Sequence, residues 1–168
     1  DTGAEIAQMD GRYDQLITTS SGPIVLDGGS DGAAFAQISS AFTQEITASG
    51  VAEDGNAIEL QDGSGAGSNA VISAIDTQTV EATTGNVLLS STTSGNQAVI
   101  SSQATQTVTV DDGQLNLTGT NGGLANIYAV DTTLNIGGTG ASQWTGNAVI
   151  GQDTFTDSVT INNGGDGA

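Results

Sequence analysis

The stretch AVISAIDTQTV at residues 70–80 recurs 28 positions later as AVISSQATQTV at residues 98–108. An earlier copy reads AQISSAFTQEI at 36–46, and two degenerate copies begin near Ile127 and Ala148. Self-similarity on this scale is the signature of a repeat architecture, in which each unit buries its apolar face against its neighbours.

Within the three clear copies, apolar and small residues alternate with polar ones. In a β-strand, residues two apart share a face. The even positions, from Ala36, Ala70 and Ala98 onward, are small or apolar and carry one Gln in each copy, whereas the odd positions of the second half of each copy are Thr and Glu. This period of two, with dense β-branching, predicts strands whose even-numbered side chains point inward, Phe42, Asp76 and Ala104 among them.

Each copy also contains a shorter piece of the form apolar-x-apolar, followed by a turn that is usually rich in Gly. The pieces are Ile24/Leu26, Ile58/Leu60, Val87/Leu89, Leu115/Leu117, Leu134/Ile136 and Val159/Ile161. The predicted unit is therefore a long strand, a turn, a short strand and a second turn, with differences in length absorbed by the turns.

Two all-β architectures satisfy this pattern: a β-solenoid of stacked strand-turn-strand coils and an antiparallel β-sandwich. The solenoid is favoured because residue identity repeats, and not polarity alone. In a solenoid the amides of Gln44, Gln78 and Gln106 would hydrogen-bond to one another along a ladder. The solenoid also predicts that Ile38, Ile72 and Ile100 lie over one another.

Residues 24–168 would form five to six such coils. Residues 1–23 fit the repeat poorly and contain Met9, Arg12 and Tyr13, which are uncommon residue types in this chain. We expect this segment to be an N-terminal cap or an arm that takes part in assembly, since terminal repeats of arrays tend to be atypical.

The formal net charge of the chain is −18, with one basic side chain among 168 residues. Because phosphate recognition draws on Lys and Arg, nucleic acid is excluded as a partner. No apolar stretch is long enough to span a membrane. The same charge makes copies of the chain repel one another, so self-assembly would need screening or bound cations.

Three short stretches resemble curlin-type repeats of secreted bacterial proteins. NQAVISSQ at 96–103 and GNAVIGQ at 146–152 are similar to the Asn-x-Ala…Gln part of those repeats. SVTINNG at 158–164 is similar to their Ser-x-Leu-x-Ile-x-Gln-x-Gly part, with Asn163 at or near the Gln position. The resemblance covers roughly residues 34–165, with longer and less regular spacings.

This resemblance implies a secreted or cell-surface bacterial protein. Curlins form functional amyloid in biofilms by stacking such arches, and related proteins anchor adhesive holdfasts to the cell surface. By this resemblance the chain would be a fibre subunit, adhesin or surface anchor. Its partners would be itself or related fibre subunits, or an extracellular polysaccharide.

Nothing in the sequence predicts an enzyme, because the chain has no His and no Cys and so lacks the usual catalytic triads and dyads. The acidic turns leave calcium open as a ligand, since hard cations take carboxylate and carbonyl oxygens from loops. The candidate ligands are Asp27, Asp31, Asp54, Asp111 and Asp112.

An ice- or glycan-binding module is the alternative function. The outward pairs Thr77/Thr79 and Thr105/Thr107 are typical of flat Thr arrays that match ice, but Glu45 interrupts the array and the later copies are not expected to continue it. Tyr128 and Trp144 could stack on sugars.

Overall fold

The protein is a three-sided β-solenoid in a computed structural model that describes residues 4–8, 14–151 and 158–164, with backbone pairing alone for 4–8. All regular elements among these residues are strands. In chain order they are β1 (Ala4–Gln8), β2 (Gln15–Thr19), β3 (Ile24–Asp27), β4 (Phe35–Ser40), β5 (Gln44–Ala48), β6 (Asn56–Gln61), β7 (Asn69–Ala74), β8 (Gln78–Ala82), β9 (Asn86–Ser91), β10 (Gln97–Ser102), β11 (Thr105–Val110), β12 (Leu115–Gly119), β13 (Leu124–Tyr128), β14 (Asp131–Ile136), β15 (Gln143–Gly146), β16 (Ala148–Ile150) and β17 (Ser158–Asn163).

Every third strand belongs to the same parallel sheet. Sheet A has the order β1-β4-β7-β10-β13-β16, sheet B the order β2-β5-β8-β11-β14-β17, and sheet C the order β3-β6-β9-β12-β15. Three consecutive strands make one coil, so coil 1 is β1–β3 and coil 5 is β13–β15, while coil 6 contributes β16 and β17. The predicted all-β solenoid is confirmed, and the antiparallel sandwich is wrong.

The long strand predicted in each copy is in fact two strands that meet at a corner. Between β4 and β5 the chain bends at residues 41–43, where the Ser40 hydroxyl accepts a hydrogen bond from the Phe42 amide at 3.2 Å. Phe42 and Asp76 are therefore exposed and Ala104 is half-buried, although their even numbers predicted an inward position. A coil thus has three sides, and each side is a strand of three to six residues.

The apolar pieces of the last two copies also lie elsewhere than expected. Leu134/Ile136 lie in β14 over Val108/Val110, and Val159/Ile161 lie in β17 over Thr132/Leu134, so both pieces are in sheet B and not in sheet C. β14 follows β13 across the corner at residues 129–130 and is therefore the second strand of its coil. The third strand is β15, whose sequence QWTG lacks the apolar-x-apolar pattern.

Part of the segment predicted as a cap or arm lies within the solenoid. β1 pairs with β4 and β2 pairs with β5, in register and in parallel, so coil 1 begins before the boundary expected at residue 23. Met9, Arg12 and Tyr13 lie outside the described residues, and a capping or assembly role of the segment stays a prediction.

The core is a set of columns of like side chains that run along the solenoid axis. In sheet C, for example, Leu60, Leu89 and Leu117 stack in register and are fully buried. Stacking also brings the corners of successive coils into close contact. A Cβ on Gly113 would collide with the carbonyl oxygen of Gly85 in the coil before it. Glycine at this corner is therefore a packing requirement.

Candidate functional site

The predicted glutamine ladder forms a buried column inside sheet B. Gln44 Nε2 donates to Gln15 Oε1 at 2.5 Å, and Gln78 Nε2 donates to Gln44 Oε1 at 2.7 Å. Gln106 Nε2 in turn donates to Gln78 Oε1. These side chains are at most 5% exposed. Because each amide supplies the partner of the next, the column satisfies buried polar groups that would otherwise destabilise the core.

The ladder extends one coil below the range that the repeat pattern identified. Gln15 lies in the segment set apart as non-repetitive, and a Gln spaced one coil before Gln44 is the sequence signal that could have found it. The ladder ends at Thr132, which takes the register position above Gln106. Among the described residues, Gln106 Oε1 and Thr132 Oγ1 are buried without a hydrogen-bond partner.

The isoleucine column predicted in the core lies inside sheet A. Ile38, Ile72 and Ile100 are register partners in successive coils and are at most 4% exposed. Ile6, Ile127 and Ile150 hold the same register position in the first, fifth and sixth coils. Residue identity is therefore kept at this position through every coil.

The acidic residues considered for calcium lie at two different corners of the solenoid. Asp27 ends β3, where its Oδ1 accepts from the Gly29 amide at 2.8 Å, and Asp31 is in the same turn, where its carbonyl accepts from the Ser68 hydroxyl. Asp54 is at the corner between sheets B and C, and its carboxylate accepts from the amide and side chain of Asn56.

Asp111 and Asp112 occupy the corner between sheets B and C two coils further on, where the Asp112 carbonyl accepts from the Gly85 amide. In the part of the chain that the structure describes, no three acidic side chains come together as a metal site would require. The carboxylates of Asp27 and Asp54 order their own turns, which is the usual role of Asp beside Gly. Calcium binding stays a prediction.

A turn residue outside the predicted site joins the coils from within. Asn96 is fully buried, and its Nδ2 donates to the carbonyls of Gly63 and Gly65 at 2.7 Å while its Oδ1 accepts from the Gly67 amide. One side chain thus satisfies three backbone groups of the Gly-rich turn in the coil before it. The Asp62 carboxylate of that turn accepts from the amides of the next turn.

A groove of about 270 Å³ lies on the outer face of sheet A. A column of serines lines it, with Ser39 and Ser73 half-buried and Ser101 8% exposed, and Tyr128 occupies the next register position. None of the residues that line it is charged. The sequence did contain the signal, because Ser recurs at this odd position of all three clear copies.

The outer face of sheet B carries more of the threonine array than expected. Thr79, Thr107, Thr133 and Thr160 are register partners, so the last two copies do continue one column. Glu45 precedes Thr79 in that column, as predicted. In the neighbouring columns, Glu81 and Asp131 replace threonine, so the face is a mixture of hydroxyls and carboxylates.

The C-terminal end of the described solenoid exposes its core. Trp144 lies over Leu117 and Ile161 over Leu134, in inward columns, yet they are 48% and 46% exposed. At the opposite end, Ile24 and Leu26 belong to the first strand of sheet C and are nevertheless buried. The two ends therefore differ: inward side chains of sheet C are buried in the first coil, whereas inward side chains are exposed in β15 and β17.

No protein-family model, curated protein or solved structure matches this chain. None of the described residues belongs to a helix that is long and apolar enough to cross a membrane.

Proposed function

We propose that this protein is an extracellular structural or adhesive protein of bacteria, a fibre subunit or cell-surface anchor, which assembles when the open end of one solenoid stacks on the first coil of a second copy. The observation that carries the proposal is the exposed core of coils 5 and 6. Trp144, Val159 and Ile161 form this end face, and each is at least 41% exposed. Large apolar side chains clustered at one surface are typical of an interaction site.

Backbone pairing supplies the mechanism of stacking. Among the described residues, no strand pairs with the outer edge of β16 or β17, or with that of β1 or β2 at the other end. An unpaired edge offers rows of amides and carbonyls to another chain. If β1 and β2 of a second copy paired with β16 and β17, two of the three sheets would continue from one molecule into the next.

The side-chain columns favour the same arrangement. Ile150 in the last strand of sheet A and Ile6 in the first belong to one register position. Ile161 and Ile17 are related in the same way in sheet B. Head-to-tail stacking would therefore place like on like across the junction, as it does within the chain. Such a heterologous contact, repeated, produces an open filament.

The charge of −18 predicts how assembly depends on salt. Because like-charged copies repel, stacking should be weak at low ionic strength and should strengthen as added salt or calcium screens the repulsion. Electron microscopy and sedimentation of the purified chain at low and high salt test this directly. We expect filaments or end-to-end oligomers that grow with salt.

The variant Ile161→Glu tests whether the open end is responsible. A carboxylate on the end face would be desolvated in the junction, so we expect monomers under conditions in which the unaltered chain assembles. The matched control is Val51→Glu, because Val51 is 45% exposed in the turn between β5 and β6, outside the coils that would form the junction. Monomers at every salt and calcium concentration, or unchanged assembly of Ile161→Glu, would contradict the proposal. Antibody labelling of intact cells tests the surface location.

A further inference from the structure

We infer that the groove on the outer face of sheet A is a binding site for a neutral, linear polysaccharide chain. This inference is independent of assembly through the open end, since the groove lies on a side of the solenoid and the stacking surface on its end. Three features of the groove support it: a row of hydroxyl groups, an aromatic ring in line with that row, and the absence of charge.

The hydroxyls form a regular row because the coils stack in register. Ser39, Ser73 and Ser101 follow one another in sheet A at the spacing of adjacent β-strands, about 4.8 Å. A serine hydroxyl donates one hydrogen bond and accepts two, as a sugar hydroxyl does. Gln37 and Gln103 also line the groove and add side-chain amides. A polyhydroxyl chain lying along the solenoid axis could exchange hydrogen bonds with this row at each step.

Tyr128 extends the serine column by one coil. It is half-buried and is the register partner of Ser101. An aromatic ring offers a flat apolar face together with a polar hydroxyl, a combination suited to a sugar ring, which has apolar C–H faces and a hydroxyl rim. The axial order of the site is thus hydroxyl, hydroxyl, hydroxyl and aromatic ring, which fits an extended ligand better than a compact one.

The charge of the surroundings determines the class of polysaccharide. The groove is lined without a single Asp or Glu, although the protein has 19 of them and one basic residue. Ligands that carry carboxylates or sulfates would meet the repulsion of the whole molecule and find no cation in the groove. Uncharged saccharides meet neither obstacle, and the site therefore selects neutral chains.

Isothermal titration calorimetry with defined oligosaccharides tests the inference. The probes are the neutral linear chains cellohexaose, maltohexaose and chitohexaose, with hexagalacturonate as the charged counterpart. We expect saturable binding of at least one neutral chain, and binding of hexagalacturonate weaker by about tenfold or more. If none of the three neutral chains binds, or if hexagalacturonate binds best, the inference is wrong.

Ser73→Asp tests whether binding occurs in this groove. Ser73 is the central hydroxyl, and a carboxylate there should weaken binding of the neutral chain about tenfold or more, because it removes a donor and adds a bulky anion. Thr79→Asp is the matched control: it makes the same change of hydroxyl to carboxylate in the same coil, on the outer face of sheet B.

Two substitutions of Tyr128 distinguish the contribution of ring stacking to binding from that of hydrogen bonding. We expect Tyr128→Ala to lose most of the affinity and Tyr128→Phe, which keeps the ring, to retain most of it. Circular dichroism of each variant checks that the solenoid is intact. Equal affinity of the unaltered chain, Ser73→Asp and Tyr128→Ala would place the saccharide elsewhere and overturn the assignment.

Discussion

The middle coils of this solenoid, β4–β12, differ from the flanking coils 5 and 6 in how strictly the Gln position repeats. In the middle coils, Ile lies on Ile and Gln on Gln, and both kinds of side chain are buried. The Gln side chains hydrogen-bond to one another along the column. In coils 5 and 6 the Gln position is taken by Thr132 and then by Val159. At this transition the buried Gln106 Oε1 and Thr132 Oγ1 have no partner among the described residues, and further along Trp144, Val159 and Ile161 are exposed.

This difference shows that the Gln column keeps its identity as long as each amide satisfies the next. The neighbouring aliphatic column of sheet B changes among Ile46, Val80, Val108 and Leu134, since packing needs volume and not a particular group, although the Ile column of sheet A keeps one residue through every coil. A column of amides tolerates only amides, because each one depends on the next for a donor or an acceptor. Once Thr132 ends the ladder, nothing requires Gln in coil 6, and an apolar Val159 follows.

The largest expected effect on stability is found by making the same Ile→Ala substitution in the middle coils and at the end face. Ile100→Ala removes a fully buried side chain between Ile72 and Ile127, and we expect a loss of about 2–5 kcal/mol in the free energy of unfolding. Ile161→Ala, at 46% exposure, should cost about 1 kcal/mol or less. Urea unfolding followed by circular dichroism measures both. Similar losses for the two variants would mean that the end face is packed as tightly as the middle.

The second comparison concerns the polar column. Gln78→Leu keeps the volume but leaves Gln44 Oε1 and Gln106 Nε2 without partners in the core, which should cost about 2–4 kcal/mol. Thr132→Val, at the end of the ladder, removes a hydroxyl that has no partner among the described residues, so it should be neutral or stabilise by about 1 kcal/mol.

Urea unfolding again serves as the measurement, and hydrogen exchange of the side-chain amides adds a local one. The side-chain amide protons of Gln106 should exchange faster in Gln78→Leu, whereas those of Gln44, which still donate to Gln15, should change less. In Thr132→Val the exchange of both side chains should be unchanged. A destabilising Thr132→Val would indicate that the hydroxyl makes a bond, through water or otherwise, and the contrast between the two regions would then be smaller than we describe.

The sequence predicted the columns and missed the corners, for a physical reason. Alternation reports which side chains point inward, and the Ile and Gln columns followed from it. A corner that preserves this alternation cannot be detected from the pattern of inward and outward residues. Ile72 and Gln78, for example, both point inward although the chain turns between them. The three-sided coil was therefore read as two-sided, and Leu134/Ile136 were assigned to the wrong sheet.

The candidate sites likewise include residues that the sequence predicts and residues that it does not. The ladder residues Gln44, Gln78 and Gln106 could be predicted because their partners are copies of themselves. The serine column of the groove repeats in the sequence in the same way, but the position of Tyr128 over Ser101 could not be predicted, because it depends on the pairing of coils of unequal length. The acidic turn residues were chosen for their chemistry alone, and their positions at separate corners depended on where each strand ends.

The smallest expected change in stability concerns a turn position at the end of coil 1, where the residue type departs from the repeat. Gly67 and Gly95 precede β7 and β10 with φ near 81°, whereas Ala33 holds the equivalent place before β4 with φ of 61°. A left-handed conformation costs a residue with a Cβ about 1–2 kcal/mol. Ala33→Gly should therefore relieve strain, offset in part by the greater freedom of glycine in the unfolded chain, for a net gain of up to about 1 kcal/mol.

Gly95→Ala is the reverse change in the middle coils, and a Cβ there would meet no atom within 4 Å. Its cost is thus backbone strain alone, and we expect about 1 kcal/mol of destabilisation. The two shifts in urea midpoint should be opposite in sign and similar in size. If Ala33→Gly destabilised the protein, contacts of the Ala33 methyl group would have to stabilise this turn. Packing of that methyl group would then explain why coil 1 has Ala at this position and not Gly. A gain would instead mark Ala33 as a position where the flanking coil tolerates strain that the middle coils avoid.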